Sequence, residues 1–64
     1  MKTLKNIREE MNLTFAEISE KIGITEDYYR KIESGVRNPS YNFITKFKAA
    51  FPYLNIDEIF FKHK

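Results

Sequence analysis

The side chains able to do chemistry in this chain gather between Thr25 and Asn38. In that stretch Tyr29, Ile32 and Val36 fall on one helical face, which makes them the buried line. Glu26, Asp27, Arg30, Lys31 and Ser34 must then point outward. The loop that follows, Gly35 to Ser40, offers backbone amides and Arg37, a combination suited to a phosphate group. Asn38 can join it or close the turn before Pro39. Charge is distributed to match. Residues 1–29 carry four basic and six acidic side chains, residues 30–48 carry five and one, and the last sixteen residues balance. Positive charge therefore concentrates in and just after this helix, where a polyanion would be met. Glu33 is the exception. It neighbours the buried Ile32, so it belongs to the fold, bonding backbone or a basic side chain.

Nothing comparable supports catalysis. The single histidine, His63, sits in a basic tail, Lys62-His63-Lys64. No His, Asp or Glu pair has metal-ligand spacing, and no hydroxyl has a base at a plausible position. The chain has no cysteine, which excludes disulfides, thiolate metal sites and a thiol nucleophile. The expectation is therefore no enzyme, no metal, no cofactor and no small-molecule ligand. No signal peptide is legible, and the longest apolar run is far below the roughly 20 residues that span a bilayer. A reducing cytoplasm is the expected location, with no membrane partner.

Short helices must position the polar cluster. Sixty-four residues, 42% hydrophobic and 16% aromatic, make one domain with a thin core. Helix 1 is expected over about residues 3–11, capped by Thr3, with Leu4, Ile7 and Met11 inward and Asn12 left-handed at its end. Helix 2 follows Thr14, whose partner Glu17 three residues on forms a capping box, and presents Phe15, Ile18, Ser19 and Ile22. Gly23 marks a sharp turn that needs φ > 0. Helix 3 follows Thr25, with Glu26 and Asp27 in its first turn, and ends near Ser34-Gly35. Ser40 caps a helix over about residues 41–51, with Ile44, Phe47 and Phe51 as its buried stripe, and Pro52 halts it. A last short helix is expected over about residues 56–61. Two amphipathic helices hinged at a glycine have the layout of a helix-turn-helix, in which the second helix lies in the DNA major groove.

The residues Leu13-Thr14, Glu17-Ile18, Lys21 to Thr25, Ile32-Glu33, Gly35 and Arg37 to Ser40 carry a closer likeness. The chain resembles the lambda Cro/repressor-type (XRE) helix-turn-helix family from about Leu4 to Phe60. The resemblance implies an all-α, five-helix domain filling residues 1–64, with helices 2 and 3 as the motif. It implies base-reading side chains at Glu26, Asp27 and Lys31, with Thr25, Tyr28 and Ser34 nearer the backbone. Lys31 can donate to guanine O6 or N7, and the two acids can accept from cytosine N4. Arg30, Arg37 and Asn38 complete the expected double-stranded DNA contacts. Several positions depart from the family pattern. Phe15 stands where a glutamine often braces against a phosphate, so that contact is expected to be missing. Phe43 stands where an exposed polar residue is typical, and Ser19 replaces a small alanine.

The function this implies is a sequence-specific transcriptional regulator, a repressor of phage or mobile-element type acting on an inverted-repeat operator. The alternative is a protein-interaction module on the same fold, an antitoxin or antirepressor partner with weak or no DNA binding, its acidic third helix and Phe15 and Phe43 turned to a protein. The length matches a bare DNA-binding domain, so control is expected through concentration, dimerisation or a partner protein. Ile56, Ile59 and Phe60 are too dense for one narrow face, and Phe61 lies about 100° further round. A homodimer interface built on Phe61, with Tyr53 or Leu54 at its edge, is the resulting expectation.

Overall fold

The computed structural model describes residues 3–60. Among the described residues four helices, not five, build the domain: α1 Leu4–Glu10, α2 Phe15–Ile22, α3 Glu26–Glu33 and α4 Tyr41–Ala50. Beyond them the chain makes a single helical turn of five residues, Ile56–Phe60. The five-helix expectation is corrected accordingly. Five residues scarcely pass the nucleation barrier of a helix, so this turn depends on the packing of Ile59 and Phe60 against the core. Residue 61, the expected end of that element, lies outside the described residues.

Local side-chain bonds set where each helix starts. Thr14 Oγ1 accepts from the Glu17 amide at 3.1 Å, while Glu17 Oε1 accepts from the Thr14 amide at 2.8 Å. The same reciprocal box opens α1, with Asn6 in the place of the acid. Thr25 and Ser40 cap α3 and α4 by accepting from the amides of Tyr28 and Phe43. Each such bond satisfies an amide that has no partner within its helix. At the other ends, Asn12 is left-handed with φ 61°, as expected. Gly23 caps α2 at φ 92° and donates to Ser19 O at 2.8 Å.

The core is shared by all four helices: Leu4 and Ile7, Ile18 and Ile22, Tyr29 and Ile32, Phe43 and Phe47, closed by Phe51. Its centre is aromatic. Phe43 stacks on Phe47 with ring centroids 6.1 Å apart, and Phe60 meets both rings edge-on. Such tilted and edge-on pairs add to simple area burial. Ser19 is buried too, and its hydroxyl donates to Phe15 O at 2.7 Å. The small polar side chain thereby lets α2 approach α3 without an orphaned oxygen.

Two expectations about burial fail. Val36 is 73% exposed and not part of the buried line. Helix α3 has ended at Glu33, and Gly35 at φ 88° swings the chain back so that the Arg37 amide bonds Lys31 O. The helical period cannot be extended to Val36. Phe43, in contrast, is only 1% exposed. The stripe of α4 is phased on Phe43 and Phe47, one turn apart, and Ile44 sits half-buried at its margin. Phe51 is buried as expected, as the residue that caps α4.

Apart from its immediate chain neighbours, nothing lies within 4 Å of where a Gly23 Cβ would stand, so a substitution there is strained by the backbone alone. Gly23→Val is expected to lose about 1–2 kcal/mol, the cost of a left-handed β-branched residue. Denaturant melts of the two proteins measure it, and an unchanged midpoint would show that the turn does not need its left-handed glycine.

Candidate nucleic-acid interface

Helix α3 is held by its inner face and offers its outer one. Tyr29 is fully buried and Ile32 nearly so, which leaves Glu26, Asp27, Arg30, Lys31 and Ser34 exposed on the opposite side. The outer face is internally paired. Arg30 Nη1 donates to Glu26 Oε2 at 3.2 Å, and Lys31 Nζ lies 3.1 Å from Asp27 Oδ2, both at i,i+4 spacing with the acid N-terminal. That order is the favourable one on a helix. All four side chains are well exposed, so each pair stabilises little and exchanges readily. Ser34 donates its hydroxyl back to Lys31 O at 3.2 Å.

The remaining expected contacts flank this face. Thr25 stands exposed at the head of α3 as its cap. Tyr28 is half-buried. Its hydroxyl is 3.1 Å from Ser40 Oγ, its ring meets Phe43 edge-on, and the Arg37 guanidinium lies 5.4 Å from its centroid. Tyr28 thus ties the end of the loop to α3 and places Arg37. Asn38 is exposed beside Pro39. Of the expected dimer residues, Tyr53 is 72% exposed and Leu54 half-buried, while Phe61 lies outside the described residues.

What sets the height of α3 over the rest is an ion pair. Arg8 Nε and Nη2 each donate to one oxygen of Glu33 at 3.0 Å, and Arg8 Nη1 donates to Leu13 O at 3.2 Å. Both side chains are largely buried, at 14% and 9% exposure. Glu33 thereby fills the structural role read from its neighbour Ile32; the partner, 25 residues away, carried no local signal. Burial alone would raise the Glu33 carboxyl, but the bonds from Arg8, the adjacent Tyr29 hydroxyl and the nearby Lys5 hold it below the usual range. The Tyr29 hydroxyl is buried against this pair without a well-formed hydrogen bond, and its burial pushes it upward, so it stays neutral.

Phe15, the first residue of α2, is the other feature that spacing did not reveal. Two guanidinium groups lie over its ring, Arg8 at 4.2 Å and Arg30 at 5.0 Å from the centroid. Both are within the range of a cation–π contact. Phe15, Arg8, Arg30, Lys5, Lys31 and Glu33 line an open cleft of about 600 Å³ beside the outer face of α3. Lys46, from α4, reaches the Gly23 carbonyl at 3.5 Å and braces the turn between α2 and α3.

The geometry is that of two short helices joined at a left-handed glycine, the second with a polar outer face. Residues 4–59 match the family model described as helix-turn-helix. The chain belongs to the XRE-type helix-turn-helix family. This is a DNA-binding and non-catalytic family. No curated protein and no solved structure matches the chain significantly. Among the described residues, no helix of this XRE-type domain is long and apolar enough to cross a membrane, and no cluster of acids or histidines could hold a metal ion.

The Arg8–Glu33 pair gives a pH-dependent prediction. Glu33 is more acidic folded than unfolded, so its contribution is complete above the unfolded value near 4.5 and is lost as pH falls through the lower, folded one. Glu33→Gln is expected to lose about 1–3 kcal/mol near neutral pH, since it leaves Arg8 half-paired in a largely buried position. Melts from pH 7 to pH 2 should show the gap between the two proteins closing below pH 4.5. A gap independent of pH would remove the ion pair as its cause.

Proposed function

We propose that this protein is a sequence-specific, DNA-binding transcriptional regulator, a dimeric repressor of phage or mobile-element type that acts on an inverted-repeat operator. The observation that carries the reading is the outer face of α3. Four charged side chains stand exposed there on a helix fixed from behind by Tyr29, Ile32 and the Arg8–Glu33 pair. In the major groove Lys31 donates to a guanine, Glu26 and Asp27 accept from cytosine amino groups, and Thr25, Tyr28 and Ser34 line the flank. Arg37 and Asn38, on the loop ahead of α4, meet a phosphate. The acids repel phosphates, so binding to unmatched DNA is weak and affinity depends on sequence. A protein-interaction module is the weaker reading, because Phe43, one of its two aromatic supports, lies in the core.

A cognate duplex selected from a random pool provides the test. Lys31→Ala is expected to cost about 1–3 kcal/mol at that site and to relax one base position. Arg37→Ala should weaken all sequences alike and flatten the salt dependence by about one phosphate contact. Equal losses of Lys31→Ala on cognate and random DNA would remove Lys31 from base recognition.

The dimer is proposed to form through the C-terminal segment, with Tyr53 exposed beside the half-buried Leu54 and with Phe61. Two α3 faces would then address half-sites about 34 Å apart, one helical turn. Tyr53→Glu is expected to give a folded protein that sediments as a monomer and binds the paired site much more weakly. A wild-type protein that remains monomeric at high micromolar concentration would exclude this arrangement.

A further inference from the structure

The two guanidinium groups over Phe15 are not equivalent. Arg8 is committed to the fold: three of its nitrogens bond Glu33 and Leu13, and its side chain is 14% exposed. Arg30 is 56% exposed and makes one side-chain bond, from Nη1 to the exposed Glu26. A guanidinium carries five N–H donors in a fixed plane, so Arg30 retains donors for a ligand. Its position over the ring limits its rotamers before any ligand arrives, which lowers the cost of binding. Lys5, exposed on α1, lines the same cleft. Arg8 is neutralised by Glu33, while Arg30 and Lys31 rest on Glu26 and Asp27 in exposed pairs that exchange readily, so the donors open to an anion are those of Lys5, Arg30 and Lys31. The cleft can thus take an anion at the cost of weak surface pairs. It is open and adjoins the outer face of α3, which fits one point on a continuous polyanion better than an enclosed small ion.

We propose that Phe15 is a positioning residue that holds Arg30, with Lys5 beside it, for a phosphate of the DNA backbone. The inference rests on the DNA-binding reading and adds to it a second phosphate contact, distinct from Arg37. It also reverses the expectation that an aromatic ring at the start of α2 removes a backbone contact. The ring donates nothing itself. It holds a stronger donor in place, because a guanidinium matches two phosphate oxygens at once.

Wild type, Arg30→Gln, Lys5→Gln, Arg37→Ala, Phe15→Leu, Phe15→Tyr and the double variant Phe15→Leu/Arg30→Gln are titrated with a random-sequence duplex at several salt concentrations. Arg30→Gln and Lys5→Gln should each lower the slope of log K against log salt by about 0.9. Phe15→Leu should weaken binding about two- to fivefold, the worth of an exposed cation–π contact, while Phe15→Tyr retains it. On the Arg30→Gln background Phe15→Leu should add nothing. Equal losses on both backgrounds would make Phe15 a packing residue and overturn the positioning role. Unchanged slopes for Arg30→Gln and Lys5→Gln, with a lowered slope for Arg37→Ala, would overturn this inference alone. A wild-type protein without salt-dependent binding to duplex DNA would overturn both readings. Arg30 and Lys5 are exposed, so the slope comparison stands even where Phe15→Leu fails to fold.

Discussion

The Arg8–Glu33 pair is the constraint on which the arrangement depends. Arg8 leaves α1, bonds the carbonyl of Leu13 ahead of α2, lies over the first residue of α2 and grips the last residue of α3. One side chain thus fixes three helices. A largely buried ion pair is weak evidence of stability, because the desolvation of two charges offsets most of their attraction. Its effect is geometric. Leu and Ile side chains would tolerate a small rotation of α3, whereas two parallel N–H···O bonds do not. The outer face of α3 inherits that fixed orientation.

Around this pair the core is small and filled with rings. Tyr29, Phe43, Phe47 and Phe51 form a continuous series, joined by Phe60 from the C-terminal turn and Phe15 from α2. Bulky rings let short helices bury enough surface to close a thin core, each adding roughly 150–250 Å². The polar exceptions stay close to backbone partners or to the ion pair. Ser19 finds the Phe15 carbonyl, while the Tyr29 hydroxyl remains against Arg8 and Glu33.

Features set within one turn of the chain were legible in the amino-acid sequence. Thr14 with Glu17, Thr25 and Ser40 cap where their types and spacing place them, and Gly23 and Asn12 are left-handed because a chain reversal there needs them so. Features that depend on phase or distance were not. Phe43 and Ile44 are adjacent in sequence, and which of them faces the core is decided by how α4 rotates against Tyr29 and Phe60. Val36 fits the period of α3, but the helix has stopped before it. The exposed polar face of α3 could be read off directly. The pairing of Arg8 with Glu33 could not, and neither could the stacking of Arg30 on Phe15, since the partners lie on different helices.

That stacking bears on how the outer face of α3 works under the proposed function. In the free protein Lys31 rests on Asp27 and Arg30 on Glu26, each an exposed pair worth about 0.3–0.5 kcal/mol. A bidentate or well-placed base contact is worth about 1–3 kcal/mol, so a matching base displaces Asp27 from Lys31 at a net gain. A mismatched base does not, because Lys31 returns to its carboxylate and two acids are left facing the groove. The pairs therefore act as a threshold. They lower affinity everywhere by a small amount and leave discrimination to the groove. Arg30 escapes the same compromise, since the Phe15 ring holds it whether or not Glu26 does. Backbone contact and base reading can then be adjusted separately on one eight-residue helix.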